Sequence, residues 1–306
     1  MSNTDFYFQV LGANSAMPNK DRFPSSFILS YRNHLHLIDC GEGSQMKMAE
    51  YGVKRSRINE VFISHLHGDH IFGLPGVINS FTLSGRQKPL QIFGPVGVRA
   101  YIQNIMDATG ARLSYELVFT ELHGDHPIDL GVINQLEVRA IPLDHRITTF
   151  GYHFKEVHPE INIRPEAIKT YELTVEEIKS IKAGKQIVRN QKVVNHSELT
   201  MPPRPRRSFA YCSDTGYLPR LADEISHTSL LYHEATYLEE LKEKARERRH
   251  STAKEAATIA AMAGVRQLVI GHYSSRYKDL EPLLEEAKAT FSNTEMAHGG
   301  AVFSIL

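Results

Sequence analysis

The sequence predicts an α/β fold in which two packed sheets are covered by helices. Three observations carry this. Short runs of β-forming residues are followed by helix-patterned segments, and the series is given twice. At 306 residues and 42% apolar, the chain can bury a large core. Side chains that can bind metal recur where expected strands end, so a sandwich would gather them at one edge.

In the first half, strands are expected at Phe6–Leu11, Ser26–Tyr31 and Leu35–Asp39, each partly alternating. A fourth, Val61–Ser64, precedes helical patterns at His70–Ser84 and Val96–Ala108, with a strand Leu90–Phe93 between them. Leu136–Leu143 reads as a strand ending at Asp144. The second half resumes with strands at Ser208–Cys212, Leu230–His233, Leu268–Ile270 and Ala301–Leu306. Helices are expected at Tyr237–Arg248, Thr252–Ala263 and Asp279–Phe291, the second opened by a capping box of Thr252 and Glu255. The segment 155–205 breaks this grammar. Pro165 marks a helix start, Thr174 with Glu177 a second capping box, and Gly184 a stop. Gln186–Val194 suits a short hairpin turning at Asn190-Gln191. We therefore expect one domain over residues 1–306 with 155–205 as an inserted, charged arm.

Composition narrows the classes of function. Lys+Arg equals Asp+Glu at 35 each, so no global positive field exists and any nucleic-acid binding must come from local patches. No apolar run approaches a membrane span, and the N-terminus lacks the regions of a signal peptide. Cys40 and Cys212 are the only cysteines, which argues against a disulfide framework and a cysteine-based zinc site and fits a cytoplasmic setting.

The densest chemistry lies in His65-Leu66-His67-Gly68-Asp69-His70, between Val61-Phe62-Ile63-Ser64 and Ile71-Phe72-Gly73-Leu74. Residues two apart on a strand point the same way, so His65 and His67 can aim at one ion. Gly68 permits a sharp turn that re-aims Asp69 and His70. Three imidazoles and a carboxylate suit zinc or another borderline divalent ion. A near-copy, Leu122-His123-Gly124-Asp125-His126, has Glu121 in place of the first histidine and Pro127 after it. It reads as a polar surface turn. Further candidates end other expected strands: His145, Asp214 and His272.

The pattern HxHxDH resembles the signature of the metallo-β-lactamase superfamily. That resemblance implies a four-layer αββα sandwich, with His65, His67 and His145 on one metal, Asp69, His70 and His272 on the other, and Asp214 bridging them. His233-Glu234-Ala235-Thr236, His250-Ser251-Thr252 and Gly271-His272-Tyr273-Ser274-Ser275-Arg276-Tyr277 narrow it further. These resemble the ribonuclease Z family, the endonucleases that remove 3′ trailers from tRNA precursors, and the likeness runs from about Phe6 to Leu306. It implies two zinc ions per subunit, with manganese an alternative, precursor tRNA as partner and a homodimer, with neither membrane nor DNA. By this resemblance the catalytic residues are Asp69, both ligand and proton acceptor, and His250, which protonates the leaving ribose 3′ oxygen while Glu234 orients it. Products would be a tRNA 3′-hydroxyl and a trailer 5′-phosphate. Lys20, Arg22 and Arg276 are the candidate RNA-binding residues; Arg204, Arg206, Arg207 and the run Lys242–Arg249 are further basic features. The arm departs from the family, since the usual Gly-Pro-rich turn is missing between Lys155 and Arg204.

Two rival readings remain at this point. One is a hydrolase of a small phosphodiester, thioester, lactone or β-lactam on the same fold. Its expected mark is loss of the arm and of the Glu234/His250 motifs. The other is a noncatalytic binding module, whose mark is a substituted ligand. All seven ligand positions are filled.

Overall fold

The computed structural model describes residues 5–158, 161–189, 192–202 and 204–306. Two compact units are formed, Met1–Phe154 with Ser208–Leu306, and Lys155–Arg207.

The larger unit rests on two seven-stranded sheets. Across the first run Val302–Ser304, Phe6–Gly12, Ser26–Tyr31, His34–Cys40, Ile58–Phe62, Leu90–Pro95 and Leu117–Leu122. Across the second run Thr294–Met296, Gln267–Gly271, Leu230–Glu234, Ser208–Cys212, Phe150–Glu156, Leu136–Pro142 and Ile128–Ile133. Pairing is antiparallel at one edge of the first sheet and parallel from His34–Cys40 onward. The strands from Ser208–Cys212 to Thr294–Met296 are parallel too.

The layers follow from which faces are apolar. Phe8, Phe27 and Phe62 of the first sheet meet Phe209, Tyr211 and Tyr232 of the second in a dry aromatic core. The Phe8 and Phe209 rings lie 4.6 Å apart and those of Phe27 and Tyr232 4.7 Å, within the range of favourable aromatic pairs. The outer face of the first sheet packs Leu37, Val61 and Ile92 against helices Leu74–Leu83 and Val98–Thr109. That of the second packs Ala210, Leu231 and Ile270 against Ala253–Ala263 and Glu281–Thr290. Helix, sheet, sheet, helix is the expected αββα order. Among the described residues, no helix is long and apolar enough to cross a membrane.

Several expected elements shift. The helix expected at His70–Ser84 is two pieces, Gly68–Ile71 and Leu74–Leu83. The break has a steric cause. A Cβ on Gly73 would lie 2.1 Å from the carbonyl oxygen of Gly41, and the Gly73 N–H donates to Cys40 O at 2.8 Å. The chain must pass against that strand end before the long helix can begin. The expected strand Val61–Ser64 lies earlier, at Ile58–Phe62, so the histidines sit on the turn beyond it. The helix expected from Tyr237 starts with a 3-10 turn at Glu239–Leu241 and continues as Lys242–Arg248.

The unit Lys155–Arg207 has helices Pro165–Thr170, Val175–Lys182 and His196–Leu199. Thr174 and Glu177 form the capping box in full. Strands Ile187–Arg189 and Lys192–Val194 pair antiparallel, while the turn expected at Asn190-Gln191 lies outside the described residues. A small core of its own gathers Leu173, Ile181, Val194 and Leu199. Arg204 and Arg207 are not free for RNA, because both close on the buried carboxylate of Glu156, at 2.5 and 2.8 Å. Burial would raise that carboxyl, but the two guanidinium groups outweigh it and hold it at about 2.

Candidate metal centre

The candidate ligands converge in the larger unit, beyond the C-terminal ends of strands from both sheets, all parallel-paired except the antiparallel Leu136–Pro142 that precedes His145. His65 and His67 follow Ile58–Phe62 directly, and Asp69 and His70 lie on the short helix Gly68–Ile71. Gly68 does not supply an unusual backbone angle, since it is absent from the positive-φ residues. It supplies space: a Cβ there would lie 2.3 Å from the Phe72 ring. His145, Asp214 and His272 follow Leu136–Pro142, Ser208–Cys212 and Gln267–Gly271. Asp214 and His272 sit at φ +54° and +58°, in the left-handed region. Backbone strain of this kind concentrates at functional sites.

Among the described residues three overlapping groups result. His65, His67, His145 and Asp214 form a first cluster, Asp69, His70 and His272 a second, and His250 joins Asp214 and His272 in a third, with the donor atoms of each within 4.8 Å of one another. His67 Nδ1 lies 3.0 Å from His65 Nε2 and 3.3 Å from His145 Nε2. Asp214 Oδ2 lies 3.6 Å from His65 Nε2, while its Oδ1 lies 3.3 Å from His70 Nε2 and 3.1 Å from His272 Nε2. Asp69 Oδ2 is 3.7 and 3.6 Å from those last two nitrogens. Ligands about 2.0–2.1 Å from a tetrahedral zinc are separated by about 3.3–3.5 Å, so these spacings fit such ions. The Nε2 atoms of His70 and His272 are buried without a hydrogen-bond partner, as vacant ligand atoms would be.

The outer partners fix the tautomers. His70 Nδ1–H donates to Asp39 Oδ2 at 2.7 Å, and His65 Nδ1–H to Ser64 Oγ at 3.0 Å. His145 Nδ1–H donates to Arg249 O at 3.0 Å, and His272 Nδ1–H to Thr236 Oγ1 at 3.0 Å. Each leaves Nε2 with its lone pair toward the centre, the arrangement metal-binding histidines require. Asp39 also accepts from Ser64 N–H (2.7 Å) and Tyr211 OH (2.6 Å). The sequence marked Asp39 only as the end of an expected strand; its role as a shared acceptor emerges from the fold.

Charge follows the same logic. Burial, with neighbouring imidazoles, holds His65 well below the ordinary histidine value, and burial lowers His67 and His145 too. Neutral rings are what a metal needs. Burial opposes a charged His70, yet Asp214, Asp39 and Asp69 outweigh it and raise that ring well above the ordinary value. A metal ion would replace that proton.

Glu234 and His250 adjoin the second cluster. His250 Nδ1–H donates to Glu234 Oε1 at 2.8 Å, and Glu234 is fully buried. The carboxylate also accepts from Thr215 N–H (2.7 Å), Thr236 Oγ1–H (2.6 Å) and Ser251 N–H (3.1 Å). Burial works against a charged His250, but Glu234 outweighs it, with Asp214 and Asp69 adding, and raises the ring to about 9.

A cleft of about 290 Å³ opens over this centre, lined in part by His67, Asp69, His250, Arg146 and Arg248. Arg146 was missed as a site residue, because only the fold brings its loop to the rim, while Arg248 ends the helix Lys242–Arg248 within the basic run singled out in the sequence. The expected RNA-binding cations stand elsewhere. Arg22 donates to Tyr277 O at 2.8 Å and lines a separate small cavity. Lys20 is exposed and lines neither space. Arg276 lies over the Tyr237 ring, 5.3 Å from its centre, and Tyr237 lines the cleft. The near-copy His123–His126 is an exposed turn.

A two-sheet sandwich with this histidine–aspartate centre at its strand ends defines a metallo-β-lactamase-fold protein. A fold neighbour, YhfI from Bacillus subtilis, is named for that fold, with a TM-score of 0.68, 17% identity, and coverage of 97% of this chain and 98% of that one. More particularly, the chain belongs to the ribonuclease Z family. It is 40% identical to ribonuclease Z of Bacteroides fragilis strain YCH46 over 301 residues, 98% of this chain and 99% of that protein. It is 39% identical to that of Porphyromonas gingivalis strain W83, over 96% and 97%. The short form of human tRNase Z superposes with a TM-score of 0.72 at 26% identity, covering 98% and 99%. A family model described as Anti-Pycsar protein Apyc1 matches residues 6–129 and stops before His145, Asp214 and His272.

Proposed function

We propose that this protein is a metal-dependent endoribonuclease that removes the 3′ trailer from tRNA precursors. The observation that carries it is the Glu234–His250 pair, buried and charged beside seven converging metal-type ligands. Family membership over almost the whole chain supports the substrate.

His65, His67 and His145 would hold one divalent ion, Asp69, His70 and His272 the other, with Asp214 between them. Such ions supply positive charge against the phosphate and lower the pKa of water. Asp69 Oδ2 faces both rings of its cluster and accepts the Ala16 N–H at 2.8 Å, so Oδ1 is the oxygen left to take the water's proton. His250, with Nδ1 held by Glu234, presents Nε2 to the leaving ribose 3′ oxygen and delivers a proton there. Arg146 and Arg248 at the cleft rim would hold backbone phosphates, with Lys20, Arg22 and Arg276 farther along the RNA. Two zinc ions per subunit, a homodimer, a cytoplasmic setting and a tRNA-gripping role for Lys155–Arg207 are the finer parts of this reading.

The test is cleavage of a trailer-bearing tRNA precursor by metal-loaded protein, alongside His145→Ala and Asp214→Ala. We expect cleavage leaving a tRNA 3′-hydroxyl, and loss of it in both variants. Wild-type protein that holds metal yet leaves the precursor intact would sink the reading.

A further inference from the structure

The helix Lys242–Arg248 ends in a Schellman turn. Arg249 N–H donates to Arg246 O at 3.1 Å, and His250 N–H to Ala245 O at 2.9 Å. The turn holds Arg249 at φ +54°, which glycine adopts freely and an L side chain adopts only with steric strain. An arginine in that position needs a reason in its side chain. Its Nη1 donates to His145 O at 2.9 Å and faces Asp144 Oδ1 at 3.3 Å. Its own carbonyl accepts the Nδ1–H of His145 at 3.0 Å. One residue therefore grips His145 by both main chain and ring. The next residue in the same turn is His250, whose ring centre lies 5.1 Å from that of His145. Behind them, Gly216 N–H donates to Asp144 O (2.8 Å) and Asp144 N–H to Thr215 Oγ1 (3.2 Å), which ties this loop to the Asp214 turn.

We infer that Arg249 is a positioning residue that locks the His145 loop to the His250 turn, setting metal affinity and proton donation together. The inference rests on the roles given above to His145 and His250. It differs from a phosphate contact, which the exposed half of the guanidinium could also make. A positioning residue acts on metal and kcat, whereas a phosphate contact acts on KM and its salt dependence.

Arg249→Gly removes the side chain at a backbone angle glycine accepts. Metal affinity, measured by chelator competition without RNA, should fall at least about tenfold for one equivalent. With precursor tRNA, kcat should fall while KM and its salt dependence stay unchanged. Arg249→Lys, which can place an ammonium between His145 O and Asp144, should restore most of the affinity. Asp144→Asn weakens the same grip from its other side and should shift affinity in the same direction. Wild-type metal affinity in Arg249→Gly would overturn the inference, as would a raised KM and flattened salt dependence with metal unchanged. Because affinity is read without RNA, wild-type protein that binds metal but cleaves nothing would remove the proposed function and leave this inference standing.

Discussion

Glu234 receives N–H or O–H groups from His250, Thr215, Thr236 and Ser251 while wholly buried, so a single carboxylate organises the turns around the second cluster. Removing the donor ring should leave the metal ligands in place. We expect His250→Ala to retain its metal and cleave roughly 10²–10⁴-fold more slowly, checked by metal content and single-turnover rates. The pH dependence has a definite sign. Glu234 raises His250 to about 9, so the proton is held at neutral pH and the rate falls as pH rises through the ring's value. Bound cations move that limb downward. Glu234→Gln should move it further, toward the ordinary histidine value of 6.5, and an unmoved limb in kcat against pH would separate the two residues. At this scale the sequence was informative where spacing mattered. His65, His67, Asp69 and His70 announced themselves within six residues. The roles of Asp39, Thr236 and Arg249 did not, because an outer partner is recognised by what it touches.

Element boundaries shifted where packing overrode pattern. His70–Ser84 carries one continuous apolar pattern, but Gly73 must press against Gly41, so the helix begins anew at Leu74. Gly73→Ala should destabilise the protein by about 1–3 kcal/mol, measured by thermal unfolding, and loosen the adjoining Asp69–His70 turn. Phe150–Glu156 was missed because it is buried along almost its whole length, so it lacks the alternation that marks a half-exposed strand. Leu117–Leu122 and Ile128–Ile133 are half-exposed edge strands and were missed for a different reason: outward positions carry Val118 and Val132, so exposure alternates where polarity does not. Within Lys155–Arg207, Glu156 makes a separate prediction. Its carboxyl falls from 4.5 to about 2 on folding, so the stability it adds is complete above 4.5 and drains away as pH drops toward 2. The full effect is about 3 kcal/mol, and Glu156→Gln should lack that acid slope in urea unfolding of the protein.

For the whole molecule, the repeated strand-then-helix grammar pointed to two sheets covered by helices, since each apolar face needs a partner, and the resemblance carried by the histidine motif supplied the αββα layering. The sheet order was not readable, because it depends on which strands pair across long connections. Metal should stabilise the folded protein by binding its complete donor set more tightly than the unfolded chain. Adding zinc to metal-free protein should raise the unfolding temperature, by an amount equivalent to at most about 4 kcal/mol when the ion is a thousandfold above its dissociation constant. Asp214→Ala, which removes the carboxylate shared by both clusters, should lose most of that gain.

The scatter of the ligands along the chain sets an order of assembly. His65, His67, Asp69 and His70 are close enough in sequence to catch an ion before anything folds, whereas His145, Asp214 and His272 arrive only when distant strands have docked. Early capture by the first four would leave an ion on an incomplete set of donors, free to recruit the exposed imidazoles of His123 and His126 as strangers. Refolding should therefore be cleanest when metal is withheld until the sandwich has closed.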